Sequence, residues 1–371
     1  MTKVLIITPW FTPAFRAGGP IQSVLNLVNQ SMDGIQYLVF CGCKDVDGTS
    51  LTGVATDQWV DFNEQTRVWY HQMGSQYKVL RSLIRSEKPD VLFIIGLYSV
   101  GYNLLPVLFC KAPTKIISVR GMLHRGALSQ KAWKKKIYIA FLNCLNIQNK
   151  VWFHATDEME EQYIKYQFGI RARIAVAGNY PAQLPQAPVL TKTVGALSMV
   201  SIALISPMKN HLMVLKALQH CKAIITYHIC GAIKDKAYWD LCQQEIQRLP
   251  SNITVHFHGE VLPVQTIDYL QQAHLAILPS KSENFGHAIY EALSVGKPVI
   301  TSFGTPWLNL EQSRAGLNVD PECNELQKAI SLFADMDNEA YSKWCAGAAE
   351  YAAKAIDVGA LRIQYEEMFK V

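Results

Sequence analysis

Short β-rich runs alternate with longer helical patterns along the whole chain, and this alternation constrains the fold more than any other feature. The runs are "KVLIIT", "IQYLVFC", "VLFIIG", "KIISV" and "RIAVA" in the first half, then "SIALI", "AIITYHI", "ITVHFH", "LAILP" and "PVIT" in the second. Strands separated by helices build parallel sheets covered on both faces. Between the halves, "GNYPAQLPQAPVLTKTVG" at 178–195 carries three prolines and few residues able to enter a core, and reads as a linker. The same scheme restarts after it. The expected fold class is α/β: two doubly wound Rossmann-like domains, 1–180 and 195–355, facing a central cleft, with a last helix over 356–371 packing back on the first domain. A chain of 371 residues, half of them apolar, can fill two such cores. Ligands are expected at the carboxyl ends of the strands.

Nine cysteines, without paired CxxC spacing, argue against a disulfide scaffold and for a reducing, cytoplasmic compartment. The first apolar run, Val4 to Ile7, stops at Pro9, too short for a signal peptide or a membrane span. The formal charge of +5 is unevenly shared, +8 over residues 1–180 and −3 over 181–371, so an anionic partner is expected on the first half. No nucleic-acid module appears, and the basic charge is confined to one patch, which argues against nucleic acid.

The most informative stretch is "SENFGHAIYEALSVGKP" at 282–298. Asn284 is a plausible N-cap, and the helix should run to Gly296 with Pro298 beyond. Phe285, Gly286 and His287 then fall in the first turn, where backbone N–H groups lack intrahelical partners and suit a phosphate. Glu291 follows His287 by four residues, on the same face, among Ile289, Tyr290, Ala292, Leu293 and Val295. An unpaired carboxylate in such surroundings costs several kcal/mol. As an acceptor for two vicinal hydroxyls, as on a ribose, it has a reason to be there. Glu283 could do the same for a sugar, or merely support the helix N-terminus.

E-N-F-G-H-x-x-x-E followed by A-L-S-V-G-K-P-V-I resembles the donor-binding E-x7-E motif of family 4 glycosyltransferases, of GT-B fold and retaining. The resemblance implies that Glu291 binds the nucleotide ribose, that Glu283 binds hydroxyls of the donor sugar, and that Asn284, Phe285, Gly286 and His287 lie against sugar and diphosphate. "PAFRAGGP" at 13–20, opening a helix with Pro20 at its first position, resembles the family's glycine-rich loop; Gly18 and Gly19 carry that over, and Arg16 could reach an anion. "ISPMKNHLMVLKAL" at 205–218 resembles the segment ending in a phosphate-binding lysine, here Lys209, which could otherwise be a solvated helix lysine. The arginine that usually precedes this lysine is missing near Leu204, and Arg16, Arg120 or Arg125 could compensate. "HFHGEV" at 256–261 matches the region meeting the nucleobase, so Gly259 and Glu260 are candidate contacts. "GTPW" at 304–307 resembles a loop facing the donor.

"VRGMLHRGALSQKAWKKKIYIAFL" at 119–142 resembles the R-G-M-L segment of bacterial members that build surface polysaccharides, where it faces the acceptor. Arg120, His124 and Arg125 are the acceptor-side candidates, with His124 as base or donor. Lys131, Lys134, Lys135 and Lys136 around Trp133 could meet an anionic lipid surface on the inner membrane, or form a solvated helix face. Asp45-Val46-Asp47-Gly48 spells D-x-D, yet sits where a polar turn is expected, and neither cysteines nor histidines show metal-ligand spacing. No metal or other cofactor is expected. The resulting expectation is a retaining transferase moving a sugar from a nucleotide-diphosphate donor, UDP-linked by preference, to a hydroxyl of a glycan or polyprenyl-diphosphate-linked acceptor in capsule, O-antigen or exopolysaccharide synthesis. The rival readings are a glycoside hydrolase using Glu283 and Glu291, and a nucleotide-sugar-binding protein without turnover.

Overall fold

The computed structural model describes residues 1–129, 132–182 and 184–370. The chain divides into two compact units, Met1–Tyr180 with Val358–Val371, and Pro181–Asp357. In the first unit, β1 (Thr2–Ile7), β2 (Ile35–Gly42), β3 (Trp59–Asn63), β4 (Thr66–His71), β5 (Val91–Ile95), β6 (Thr114–Ser118), β7 (Trp152–Ala155) and β8 (Ile174–Val176) form one sheet, ordered β3-β4-β2-β1-β5-β6-β7-β8. Every pairing is parallel except β3 against β4. Val91–Ile95 is buried at each position because a central parallel strand is covered on both faces.

The helices of this unit are α1 (Gly19–Val28), α2 (Gln76–Glu87), α3 (Leu105–Phe109), α4 (Arg125–Ser129), α5 (Ala132–Cys144) and α6 (Glu158–Phe168). Leu80, Leu83 and Ile84 of α2, Val107 of α3, Ile139 and Leu142 of α5, and Ile164 and Phe168 of α6 pack in one cluster with Leu5, Leu92 and Ile117 of the sheet. Phe369, just past the final helix Val358–Met368, lies against Tyr37 and Phe93, which alternate with those inward positions and so occupy the opposite face. In the same helix Tyr365 stacks on Tyr180 at 5.2 Å and Arg362 pairs with Asp33 at 3.0 Å.

In the second unit, β9 (Ala196–Ile202), β10 (Ile224–Cys230), β11 (Ile253–Gly259), β12 (Leu275–Leu278), β13 (Val299–Ser302) and β14 (Gly316–Val319) form a wholly parallel sheet ordered β11-β10-β9-β12-β13-β14. Counted from β9, this is the 3-2-1-4-5-6 order of a dinucleotide fold, whose switch point lies between β9 and β12. Helices α7 (His211–Leu218), α8 (Lys236–Ile246), α9 (Thr266–Gln271), α10 (His287–Ser294), α11 (Cys323–Ala334) and α12 (Asn338–Ala355) are followed by α13, the Val358–Met368 helix of the first unit. α7, α8 and α11 share one core, and α9, α10 and α12 share the other, so the sheet is covered on both faces.

The first strand of this unit is Ala196–Ile202, five residues earlier than "SIALI" suggests, and Ala203 and Leu204 already lie past its end. Ser198 and Ser201 disguise the strand as polar. β3, β4, β7 and β14 escape the sequence reading because they are short and of mixed polarity; β7 contains His154, fully buried between Ser118 and the Ala177 carbonyl. Gly316 at the start of β14 has φ 151, and a Cβ there would fall 1.9 Å from the Val299 carbonyl oxygen, so no other residue fits.

Candidate functional site

The switch point of the second sheet gathers three loops, each leaving the carboxyl end of a strand. The turn after β9 carries Lys209, the loop after β12 carries Glu283, and the loop after β13 carries Gly304 to Trp307. They are stitched by backbone bonds: Lys281 N–H donates to Met208 O at 2.8 Å, and Glu283 N–H donates to Gly304 O at 2.9 Å. Ser302 Oγ donates to Ser280 O. A Cβ on Gly304 would lie 2.3 Å from Lys281 O, so the glycine is what lets these two loops touch.

Lys209 precedes α7 rather than lying within it, and its Nζ donates to Glu283 Oε1 at 2.5 Å with side-chain exposures of 22% and 10%. The two residues singled out from separate motifs are therefore a direct ion pair. His211, the first residue of α7, is 1% exposed with neither ring nitrogen partnered among the described residues, and burial followed by Lys209 pushes its pKa down to about 3. It stays neutral beside the lysine. Sequence reasoning passed over it, since one histidine in a helix gives no pattern.

Helix α10 begins at His287 with Gly286 as N-cap, so Asn284 is not the cap. Gly286 takes a left-handed conformation, φ 77, that asparagine two residues earlier could not supply at this position. Among the described residues no side chain caps the helix; Ile289 N–H turns back to the Gly286 carbonyl at 2.9 Å, and the positive end of the dipole lies at the Gly286–His287 turn. Phe285 holds the loop: its carbonyl accepts from Trp307 Nε1 at 2.5 Å, and its ring meets Trp307 edge-on at 5.2 Å and His287 at 4.6 Å. Trp307, 5% exposed, thus fixes the shape of the turn that opens α10. In the first unit Gly18 is the N-cap of α1, Gly19 its first residue and Pro20 its second, one position later than the sequence suggests.

Glu291 sits one turn into α10. By surface it is half-buried, yet dense protein encloses its carboxylate, and desolvation pushes its pKa up to about 7. No side-chain or backbone donor meets that carboxylate among the described residues, whereas Glu160 of the first unit, which is completely buried, accepts from Gly121 N–H, Thr156 N–H and Thr156 Oγ. A buried carboxylate left without donors is a group awaiting one. Gly259 and Glu260 stand at the carboxyl end of the edge strand β11, two strands from β9; Gly259 has φ 66 and open space where a Cβ would lie.

The glycine-rich loop of the first unit is clamped by the D-x-D turn. Asp45, 6% exposed, accepts from the N–H groups of Phe15 at 2.9 Å and Arg16 at 3.2 Å, while Asp47 pairs with Arg16 Nη1 at 2.6 Å. Thr49 N–H and Oγ, with Arg16, hold the Asp47 carboxyl down at about 2. Both carboxylates and Arg16 are thus committed to loop geometry. The acceptor-side candidates lie after β6. Arg120 is 9% exposed in a left-handed conformation, φ 48, and donates to Asn179 Oδ1; among the described residues its Nε and Nη2 have no hydrogen-bond partner. His124 stacks at a tilt on Tyr163 at 4.8 Å, with Nε2 enclosed and without a hydrogen-bond partner among the described residues. The side chain of Arg125 and the whole of Lys131 lie outside the described residues.

Among the described residues, no group of three or more His, Cys, Asp or Glu could hold a metal ion, and no helix is long and apolar enough to cross a membrane.

Residues 188–348 match the family described as glycosyl transferases group 1. No curated protein matches the sequence. Among solved structures, sucrose-phosphate synthase from Thermosynechococcus elongatus superposes with a TM-score of 0.73 at 14% identity, covering 100% of this chain and 98% of that one. HepE of Anabaena, solved with UDP and glucose, gives 0.72 at 17% identity over 100% of both chains. WaaG, a glycosyltransferase involved in lipopolysaccharide biosynthesis, gives 0.65 at 13% identity over 99% of both. The second unit thus carries a glycosyl transferases group 1 domain, and the chain is a glycosyltransferase of the GT-B fold.

Proposed function

We propose that the enzyme transfers a sugar, with retention, from a nucleotide-diphosphate sugar to a hydroxyl of a glycan or polyprenyl-diphosphate-linked acceptor in bacterial capsule, O-antigen or exopolysaccharide synthesis. The observation that carries this reading is the meeting of the Lys209–Glu283 pair with the uncapped α10 and the donor-less Glu291 at one switch point. The amides of α10 and Lys209 hold the diphosphate, Glu291 takes the ribose hydroxyls, and Glu283 takes hydroxyls of the sugar. UDP is the preferred nucleotide because the HepE structures hold UDP and UDP-glucose. Charge on the departing diphosphate is met by fixed dipoles and Lys209, so the reaction is proposed to need no metal. Retention follows if the departing phosphate itself accepts the acceptor's proton on the face it leaves, with the protein supplying position rather than a nucleophile. Incubation with a panel of nucleotide sugars and glycan acceptors, reading nucleotide release and the anomeric signal of the product by NMR, tests this. Release requiring both substrates and a product of unchanged anomeric configuration is expected; acceptor-independent cleavage of a glycan without nucleotide would overturn it.

The proposed site of action is the cytoplasmic face of the membrane, reached through α5. Trp133, Ile137 and Phe141 recur every four residues and are 65%, 62% and 46% exposed. Lys134 and Lys136 flank them in solvent. Lys135 differs: it donates to Ala127 O at 2.5 Å and lies over the Tyr98 ring, so it is spent inside the unit. An apolar stripe flanked by lysines fits an anionic lipid interface. Lys134→Glu with Lys136→Glu should lower co-sedimentation with phosphatidylglycerol vesicles by roughly tenfold or more, at about 1 kcal/mol per lysine removed; unchanged sedimentation would exclude this face.

A further inference from the structure

A pocket of about 500 Å³ opens in the first unit between the carboxyl end of α2 and the segment joining α3 to β6. Its floor is apolar, with Ile84, Pro89 and Cys110 buried. Its walls carry Arg81, Arg85, Lys88 and Lys111, against one carboxylate, Asp90. Asp90 is already engaged, accepting the Lys3 backbone N–H at 2.8 Å. Among the described residues none of the four cations is in an ion pair, although Lys3 and Arg67 nearby in the same unit both pair with Glu87. Phe109, 57% exposed and edge-on to Tyr77, forms part of the rim.

Four cations around one cavity repel one another unless water or an anion lies between them. The carbonyl end of α2 attracts cations and accounts for Arg85 and Lys88. It does not account for Lys111, which arrives from the α3–β6 segment, nor for Arg81, a turn further back along α2. Arg81 and Arg85 are four residues apart, on one helix face, and two guanidinium forks with two flexible ammoniums are a donor set suited to phosphate oxygens. The volume lies within the range of small-molecule sites and accommodates a phosphate or diphosphate with its substituent. Asp90 and Pro113 immediately precede β5 and β6, so the pocket is at the amino-terminal ends of these strands, whereas the glycine-rich loop follows the carboxyl end of β1. It is therefore separate from the loops assigned to transfer.

We propose that the α2–α3 pocket is a second binding site, outside the transfer machinery, for a phosphate-bearing ligand, either a phospholipid headgroup or a free phosphorylated metabolite. Titration of the full-length protein with inorganic pyrophosphate provides the probe. The isotherm should contain a component that Arg85→Glu with Lys111→Glu weakens by about tenfold or more, the loss of one to two charge-assisted contacts, and that Lys209→Ala leaves unchanged. This separates the pocket from the donor site, so either assignment can fail alone. Arg85 and Lys111 are exposed and Lys209 is half-buried in its pair with Glu283, and thermal unfolding establishes that both variants fold. Co-sedimentation with phosphatidylcholine vesicles, with and without phosphatidylglycerol, then identifies the source. A drop in the double variant assigns a lipid headgroup, and no drop assigns a free phosphate ligand. Pyrophosphate binding that is equal in wild type and double variant, or absent from both, overturns the proposal.

Discussion

Replacing Glu291 by glutamine should cut transfer by at least about a hundredfold while making the protein more stable above neutral pH. The activity loss follows from removing a charged acceptor for two hydroxyls, whose charge-assisted bonds are each about 1.5–3 kcal/mol. The stability gain has the opposite cause. The folded pKa of about 7 lies above the ordinary carboxylate value of 4.5, so the fold disfavours the ionised form. The penalty is absent below the ordinary value, grows as pH rises toward the folded pKa, and is constant above it; the shift corresponds to something on the order of 3 kcal/mol. Glutamine carries no such penalty. Its melting temperature should exceed that of wild type at pH 8 and match it near pH 4.5. Donor affinity of the wild type should rise as pH approaches 7 and then level off, because only the ionised carboxylate accepts both hydroxyls, while the glutamine variant shows a flat profile. Wild-type turnover by Glu291→Gln, or identical pH profiles for the two proteins, would remove Glu291 from the site.

Loss of Lys209 should be as damaging to catalysis but should destabilise rather than stabilise. Its ammonium both faces the loop that leads to α10 and neutralises Glu283, a carboxylate only 10% exposed. Lys209→Met should lower kcat by roughly a hundredfold to a thousandfold, the scale on which a preorganised group that meets developing charge contributes. It should also cost about 1–3 kcal/mol of stability, since Glu283 is left without its partner. The double change Lys209→Met with Glu283→Gln separates the two roles. Stability should return because no unpaired charge remains, and activity should not. Recovery of transfer together with stability would mean that Lys209 serves only to hold Glu283.

The ion pair also bears on the arginine absent near Leu204. Arg16 and Arg120 belong to the first unit and are engaged there, with Asp47 and with Asn179. Within the second unit, the loops bring Lys209 and the amino-terminal turn of α10 to the switch point, with Lys281 exposed in the same loop as Glu283. His211 adds no charge, since burial keeps its imidazole neutral.

Much of this architecture is written locally. Apolar runs such as Val91–Ile95 can only be central parallel strands, because nothing else buries both faces of an extended segment. A glutamate among Ile289, Tyr290, Ala292 and Leu293 is legible as a functional residue because a buried carboxylate costs too much to stand there idly. Glycines at 286 and 304 mark places where the backbone needs a conformation or an approach closed to other residues. Short strands of mixed polarity, such as β3 and β14, were not legible, since their burial depends on neighbours distant in sequence. Nor was the start of α10: local cap chemistry favours Asn284, and the left-handed turn at Gly286, held by Trp307 and Phe285, overrides it.

The sequence by itself determined the two parallel-sheet units, the loops that follow their strands, and the presence of Glu291 on an otherwise apolar helix, because each depends on periodicity and composition within a few turns of chain. Only the tertiary structure decided that Lys209 and Glu283, 74 residues apart, share one proton-mediated contact, that Asp45 and Asp47 clamp the glycine-rich loop, and that four cations from two segments line one pocket. Those are through-space facts: charge acts across the few ångströms that folding sets, and no spacing along the chain encodes that distance.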